Sequence, residues 1–207
     1  MDRFRYSNAT IEDLLVDLKD YFPAQVSIDN WKSSWLESPS LNVFESVWDP
    51  SNVSQSATLK LYQYPFSSDY NTLRWHKFQV AFFDENASIV DEKTVLVSPT
   101  TNLTQITYDG TNEVKAIFVN YNDEDFLENY IDSQSLQFFL ANIDMIKDDL
   151  TRSLIWFNLS QLNKQTLMRL DDYVSFIVEK LFDEPQIYVI NQLLTDLFVY
   201  LSSFLVE

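Results

Sequence analysis

The sequence predicts an α+β chain in several parts: a short helical lead-in, an antiparallel β-sandwich, and a domain of α-helical hairpins stacked in a HEAT-like way. Three observations predict it. Hydrophobic residues recur with a helical period up to Trp35, with a period of two from Leu41 to Asn120, and with a helical period again beyond Asn120. The 207 residues are 46% hydrophobic and 15% aromatic, ample for packed cores. A single glycine, Gly110, leaves most turns of the β part to Asn and Asp, which tolerate left-handed backbone better than other residues. The period changes place the boundaries at 1–40 for the lead-in, 41–120 for the sandwich and 121–207 for a helical domain.

In the lead-in, Ile11, Leu14, Leu15 and Leu18 share a helical face behind Thr10, an N-cap with Asp13 at the third helical position. That helix ends near Pro23. Ser27 opens a second, short helix on which Ile28, Trp31 and Trp35 share a face, and Pro39 ends it. Six strands follow: LNVFESVW, ATLKLYQYPF, LRWHKFQVAFF, IVDEKTVLV, LTQIT and EVKAIFVN, separated by SNVSQS, SSDYN, DENAS, SPTTN and YDGTN. The acidic run Asp123, Glu124 and Asp125 reads as a solvated helix start, since carboxylates suit a helix N-terminus and the glycine of a calcium loop is absent. Three helical faces come next: Leu136, Phe139, Leu140 and Ile143; then Leu150, Leu154 and Phe157, less regularly Ile155 and Leu159; then Leu167, Leu170, Val174, Ile177, Val178 and Leu181. Pro185 opens a fourth helix through Leu205, and short connections make these helices antiparallel neighbours. The last helix is apolar on most sides, where a capping helix would be polar on its outer face, so the helical part reads as incomplete.

Composition excludes several functions. Fourteen Lys and Arg against 31 Asp and Glu give a formal charge of −17, which repels phosphate backbones, so no nucleic acid is expected as a partner. The chain has no cysteine and therefore no disulfide, thiolate metal site or Cys nucleophile. One histidine, His76, excludes a His-Glu-x-x-His zinc motif, which needs two imidazoles; His76 itself reads as a packed strand residue beside Phe78, Val80 and Phe82. Phosphate loops need clustered glycines. The five tryptophans sit where periodicity points inward and read as core. The apolar window 187–206 contains Asn191, Gln192 and Asp196 and reads as a buried helix, not a membrane span. No secretory signal is visible, so a cytoplasmic location is the expectation, and the five N-x-[ST] sequons, Asn52 among them, are taken as chance.

The order of motifs resembles the C-terminal portion of M1-family zinc aminopeptidases, of the aminopeptidase N type, from about Tyr6 to Leu194. NATIEDLLVDL resembles a late helix of the catalytic domain, and DNWKSSWLESPSLNVF resembles the Trp-x-x-x-Trp-x-x-x-x-Gly-x-Asn junction into the sandwich. WHKFQVAFFDENASIVDEKTVLV resembles a sandwich hairpin, FVNYNDEDFLENYIDSQSL the segment that opens the helical part, and IKDDLTRSLIW the Asp-x-x-x-Arg-(Ala/Ser)-x-x-Trp signature of the first bowl helices. The resemblance makes Trp31, Trp35, Pro39 and Asn42 a structural junction, and Asp148, Arg152 and Trp156 a helical-domain signature. Ser40 and Ala87 stand where the family usually has glycine, which brings tight turns into question.

What the resemblance implies is a non-catalytic part of a peptidase. No residue corresponds to the family's zinc ligands or exopeptidase loop. No cofactor is expected in this chain, while zinc belongs to the full-length family enzyme. The expected partners are a catalytic M1 domain or another protein subunit, with peptides as substrates of the whole enzyme. A scaffold or assembly subunit derived from an aminopeptidase is the alternative. Carboxylate-based catalysis in the helical part has no supporting spacing.

Overall fold

The computed structural model describes residues 8–50 and 57–204, with side chains to residue 202. Tyr6, the turn SNVSQS with its Asn52, and Leu205 lie outside the described residues. The structure is mixed α+β, with two sheets and six α-helices among the described residues. Helix α1 (Ile11–Leu18) starts in a capping box: the Thr10 hydroxyl accepts from the Asp13 amide at 3.3 Å, and the Asp13 carboxylate accepts from the Thr10 amide at 3.0 Å. Helix α2 (Ile28–Trp35) starts at Ser27, whose hydroxyl accepts from the Asn30 amide at 3.4 Å. Of the apolar face of α1, Leu15 is buried while Ile11, Leu14 and Val16 are exposed.

All six expected strands form: β1 (Asn42–Asp49), β2 (Ala57–Pro65), β3 (His76–Phe83), β4 (Ile89–Val97), β5 (Leu103–Tyr108) and β6 (Ala116–Val119). A seventh, β7 (Glu128–Tyr130), lies where no strand was expected, because three residues are too few to show alternation. It pairs in parallel with β1, Phe44 opposite Asn129, so the sheet is not wholly antiparallel. The sheet orders are β5-β2-β1-β7 and β4-β3-β6. Residues 73–75 fall outside β3 because side chains capture their carbonyls: Gln63 takes that of Arg74 and Trp35 that of Trp75.

The three-stranded sheet is the middle layer. One face packs on the four-stranded sheet, with Phe44 edge-on to Phe78 at 5.1 Å and Trp48 against Phe82 at 5.6 Å between ring centroids. Its other face, with Ala81, Phe83, Ala116 and Phe118, packs on α3 (Ser133–Asn142) and shares one core with α4 (Asp149–Lys164), α5 (Leu170–Lys180) and α6 (Ile187–Phe204). Phe139 of α3 meets Phe83 and Phe118 at 5.4 and 5.8 Å. Every residue of β6 is therefore buried, which is why its sequence runs continuously apolar.

Two helical faces differ from expectation, for one reason. On α4, Ile155, Leu159 and Leu162 are buried while Leu150 and Phe157 are exposed. The buried stripe also carries Thr151, Arg152, Ser160 and Asn163, so counting apolar residues selects the wrong side. On α5, Tyr173, Phe176 and Ile177 face inward, whereas Val178 does not, and Leu167 lies exposed before the helix begins. The carboxylate of Asp196 on α6 accepts from Tyr173 at 2.8 Å and Ser160 at 2.9 Å, tying three helices together. Burial first, and that carboxylate second, push the Tyr173 phenol far above its ordinary range. Among the described residues no helix is long and apolar enough to cross a membrane.

Nor do Asp123, Glu124 and Asp125 start a helix. Asn120 and Asp123, at φ of 58° and 54°, fold the chain back, and α3 begins later at Ser133 with Asp132 as its cap. Ser40 and Ala87 have φ of 76° and 55°, so both turns keep the left-handed geometry that glycine would supply. Gly110 has an ordinary φ; its missing Cβ instead makes room for the Tyr108 ring, which would stand 2.4 Å away.

Relief of left-handed strain should make Ser40→Gly more stable by about 1 kcal/mol in urea denaturation, since the Ser40 hydroxyl is also buried without a partner. Ala87→Gly should be about neutral, because it also removes a buried methyl worth about 0.8 kcal/mol. A loss of more than about 1 kcal/mol at Ser40 would show that the strain argument is wrong.

Candidate functional site

The junction between the lead-in and the first sheet is built around Arg74, which is 1% exposed. Its Nε donates to the Ser34 carbonyl at 2.8 Å, Nη1 to Thr72 at 3.2 Å, and Nη2 to Ser38 at 3.1 Å and Pro39 at 2.9 Å. No described carboxylate pairs with it. Burial lowers its affinity for the proton from the ordinary arginine range, yet a guanidinium keeps its charge in proteins. Four carbonyl dipoles thus stand in for a counter-ion. The guanidinium also lies 5.4 Å from the Trp35 ring centroid.

A second chain of bonds runs from the same point. Asn42 Nδ2 donates to the Thr72 carbonyl at 2.9 Å, which fixes its Oδ1 as the acceptor for Gln63 Nε2 at 3.0 Å and His76 Nε2 at 3.0 Å. The other His76 nitrogen, Nδ1, faces Asp125 Oδ2 at 3.1 Å, and that oxygen also accepts from the Lys77 amide at 2.8 Å. Both ring nitrogens of His76 are therefore occupied by protein acceptors.

The expected junction residues divide accordingly. Trp35, Pro39 and Asn42 gather around Arg74, while Trp31 stands a turn away with its ring against Phe22 at 5.3 Å. Arg74, Gln63 and Asp125 are the members that pattern reading missed. An arginine on an apolar strand flank was the available signal. Beside the junction opens a pocket of about 320 Å³, into which Trp31, Trp35, Trp75 and Phe126 project. Those three tryptophans are only half-buried, contrary to the inward placement expected of them, because each borders this open pocket; Trp48 and Trp156 do lie in the cores.

The helical signature forms its own cluster. Asp148 caps α4, accepting from the Thr151 amide at 2.7 Å. Four residues on, Arg152 grips Glu184 with Nε at 2.9 Å and Nη2 at 3.1 Å, while its Nη1 donates to the Ile146 carbonyl at 2.8 Å. Four further on, the Trp156 indole donates to the same carboxylate at 3.2 Å. Burial works against the Arg152 charge, but Glu184 and Asp149 outweigh it and hold the guanidinium above its ordinary range. Glu184 was not singled out from the sequence, although two donors on one helical face called for an acceptor. No group of three or more His, Cys, Asp or Glu able to hold a metal ion occurs among the described residues.

The fold these elements define is similar to part of an aminopeptidase. One similar structure is a crystal structure of Legionella pneumophila aminopeptidase A in complex with aspartic acid, with a TM-score of 0.59 and 11% identity. The match covers 87% of this chain and 21% of that one, and at this identity it is a likeness of fold. No protein-family profile and no curated protein matches the chain.

Arg74→Met should cost at least about 3 kcal/mol, since it strips buried carbonyls of their donor, and Arg74→Lys should recover less than half because one ammonium cannot span four acceptors. Chemical denaturation measures both; a loss near zero would rule out the clamp. Arg152→Met should cost about 3–5 kcal/mol by leaving Glu184 buried and unpaired, and adding Glu184→Gln should restore part of it. A double variant as unstable as the single one would mean that packing, not charge, holds the cluster.

Proposed function

We propose that the chain is the non-catalytic C-terminal part of an M1-like zinc metallo-aminopeptidase, in which it supports a catalytic domain that removes N-terminal residues from peptides. The observation that carries the reading is the fold likeness to an aminopeptidase over 87% of the chain, so nearly all of it is accounted for by one neighbour. The left-handed backbone at Ser40 and Ala87 supports it further, because the resemblance puts glycine at both turns. In this reading residues 41–120 form a β-sandwich, residues 121–207 the start of a HEAT-like helical domain, and residues 1–40 the end of the catalytic domain. Zinc in the whole enzyme supplies an activated water; this chain supplies rigid placement through the Arg74 clamp. The partner is the catalytic domain, in the same or another polypeptide, and the location is cytoplasmic.

A second reading is a scaffold derived from such an enzyme. The apolar surface favours it: Ile187, Leu194, Phe198 and Leu201 on α6, and Ile11, Leu14 and Val16 on α1, are exposed together on their helices. Native mass spectrometry with zinc analysis, on protein from its own source, separates the two. A zinc-carrying species that contains a catalytic domain and cleaves peptide N-termini is the expected result. A zinc-free species, alone or with an unrelated protein, would discard the peptidase reading in favour of the scaffold.

A further inference from the structure

The pocket beside the junction has walls that the aminopeptidase reading leaves without a task. Trp31, Trp35, Trp75 and Phe126 supply aromatic surface, with Phe126 largely exposed. The acidic lining residues are Glu124 and Asp125, opposed by Lys77. Most polar atoms there are already engaged: the two Asp125 oxygens accept from the amides of Lys77 and Phe126, both His76 nitrogens face protein acceptors, and the Trp35 indole donates to the Trp75 carbonyl.

A ligand entering the pocket therefore meets ring surfaces and the field of carboxylates, with few hydrogen-bonding groups to spare. An anion would be set against two carboxylates. A primary ammonium would bring three N–H donors, for which the exposed Glu124 carboxylate is the one lining carboxylate not already engaged. A quaternary ammonium brings none, and it is attracted to aromatic faces through its methyl groups. We propose that this pocket binds a small, soluble quaternary ammonium ion of the choline type. About 320 Å³ is at the low end for ligand pockets, which suits an ion of this size better than a peptide segment. The formal charge of −17 adds long-range attraction for cations. Trp35 already holds one cation, the guanidinium of Arg74, so its ring system works as a cation site in this fold.

Tryptophan fluorescence of the full chain, titrated with tetramethylammonium or choline chloride, tests the proposal. The controls are sodium chloride and the carbon isostere of choline, in which a tert-butyl group replaces trimethylammonium. The expected result is saturable binding of the cations, roughly tenfold tighter than the isostere. Trp75→Leu and Trp31→Leu, which keep apolar volume and lose the ring, should each weaken binding by about fivefold or more. Glu124→Gln should weaken it about threefold and Lys77→Gln tighten it about threefold, since the Lys77 contact with Asp125 runs through its backbone amide. These two exposed sites still decide the matter if a tryptophan variant does not fold. Equal binding of the isostere, absence of saturation, or charge effects of the opposite sign would overturn the proposal. Sedimentation of the chain with phosphatidylcholine vesicles would overturn the soluble-ion form of it. No catalytic domain or zinc is needed, so the outcome is independent of the peptidase reading.

Discussion

A buried positive charge with no negative partner among the described residues sets the terms for the first half of this structure. Arg74 is almost fully enclosed, and its donors end on main-chain carbonyls of Ser34, Ser38, Pro39 and Thr72. Those carbonyls belong to the end of α2, the turn after it, and the approach to β3. None of the three could move far without exposing either the charge or its acceptors to an apolar interior. The neighbouring bonds inherit that order: Trp35 is placed over the guanidinium, and Asn42 is oriented by the same Thr72 carbonyl before it can receive Gln63 and His76. Arg152 solves the same problem differently, with a carboxylate, Glu184, drawn in from beyond α5. One guanidinium organises backbone and the other organises helices.

Much of the architecture was legible because burial on one face leaves a period behind. Six strands follow their apolar spacing closely; α1 and α2 form where the spacing places them although their apolar faces stay largely uncovered, and Thr10 with Asp13 marks the first helix start in the sequence itself. The sequence was silent where polar residues go inside. Thr151, Arg152 and Ser160 turn the buried side of α4 away from its greasiest stripe, and nothing local announces that Glu184 and Asp196 will be waiting for them. β7 is invisible for another reason, since its three residues are held by a partner strand more than eighty positions earlier. The junction lies between these cases. Its tryptophans and Asn42 stood out by motif, whereas Arg74 and Asp125 acquire meaning only when folding brings the carbonyls of the lead-in to the one and His76 to the other.

The tryptophans illustrate how a residue can be structural and exposed at once. Trp35 has an indole N–H committed to the Trp75 carbonyl, a ring against His76 at 5.1 Å, and still a share of its surface in the open pocket. Such residues cost little to leave half-covered because the polar tip is satisfied by the protein and the ring is not starved of contacts. The pocket is thus a by-product of the clamp, held open by groups whose positions are set for another purpose. That is a sound basis for recognition, since little has to be ordered when a ligand arrives.

The middle sheet has a consequence for how such a chain is inherited. Because β3 and β6 bury one face against a second sheet and the other against helices, neither neighbour is an accessory that could be exchanged or dropped by recombination. A gene fragment carrying the strands alone would present Phe83 and Phe118 to water, and one carrying the helices alone would leave Phe139 without its floor. The three layers therefore have to be kept together, and substitutions in the middle layer must suit two cores at the same time.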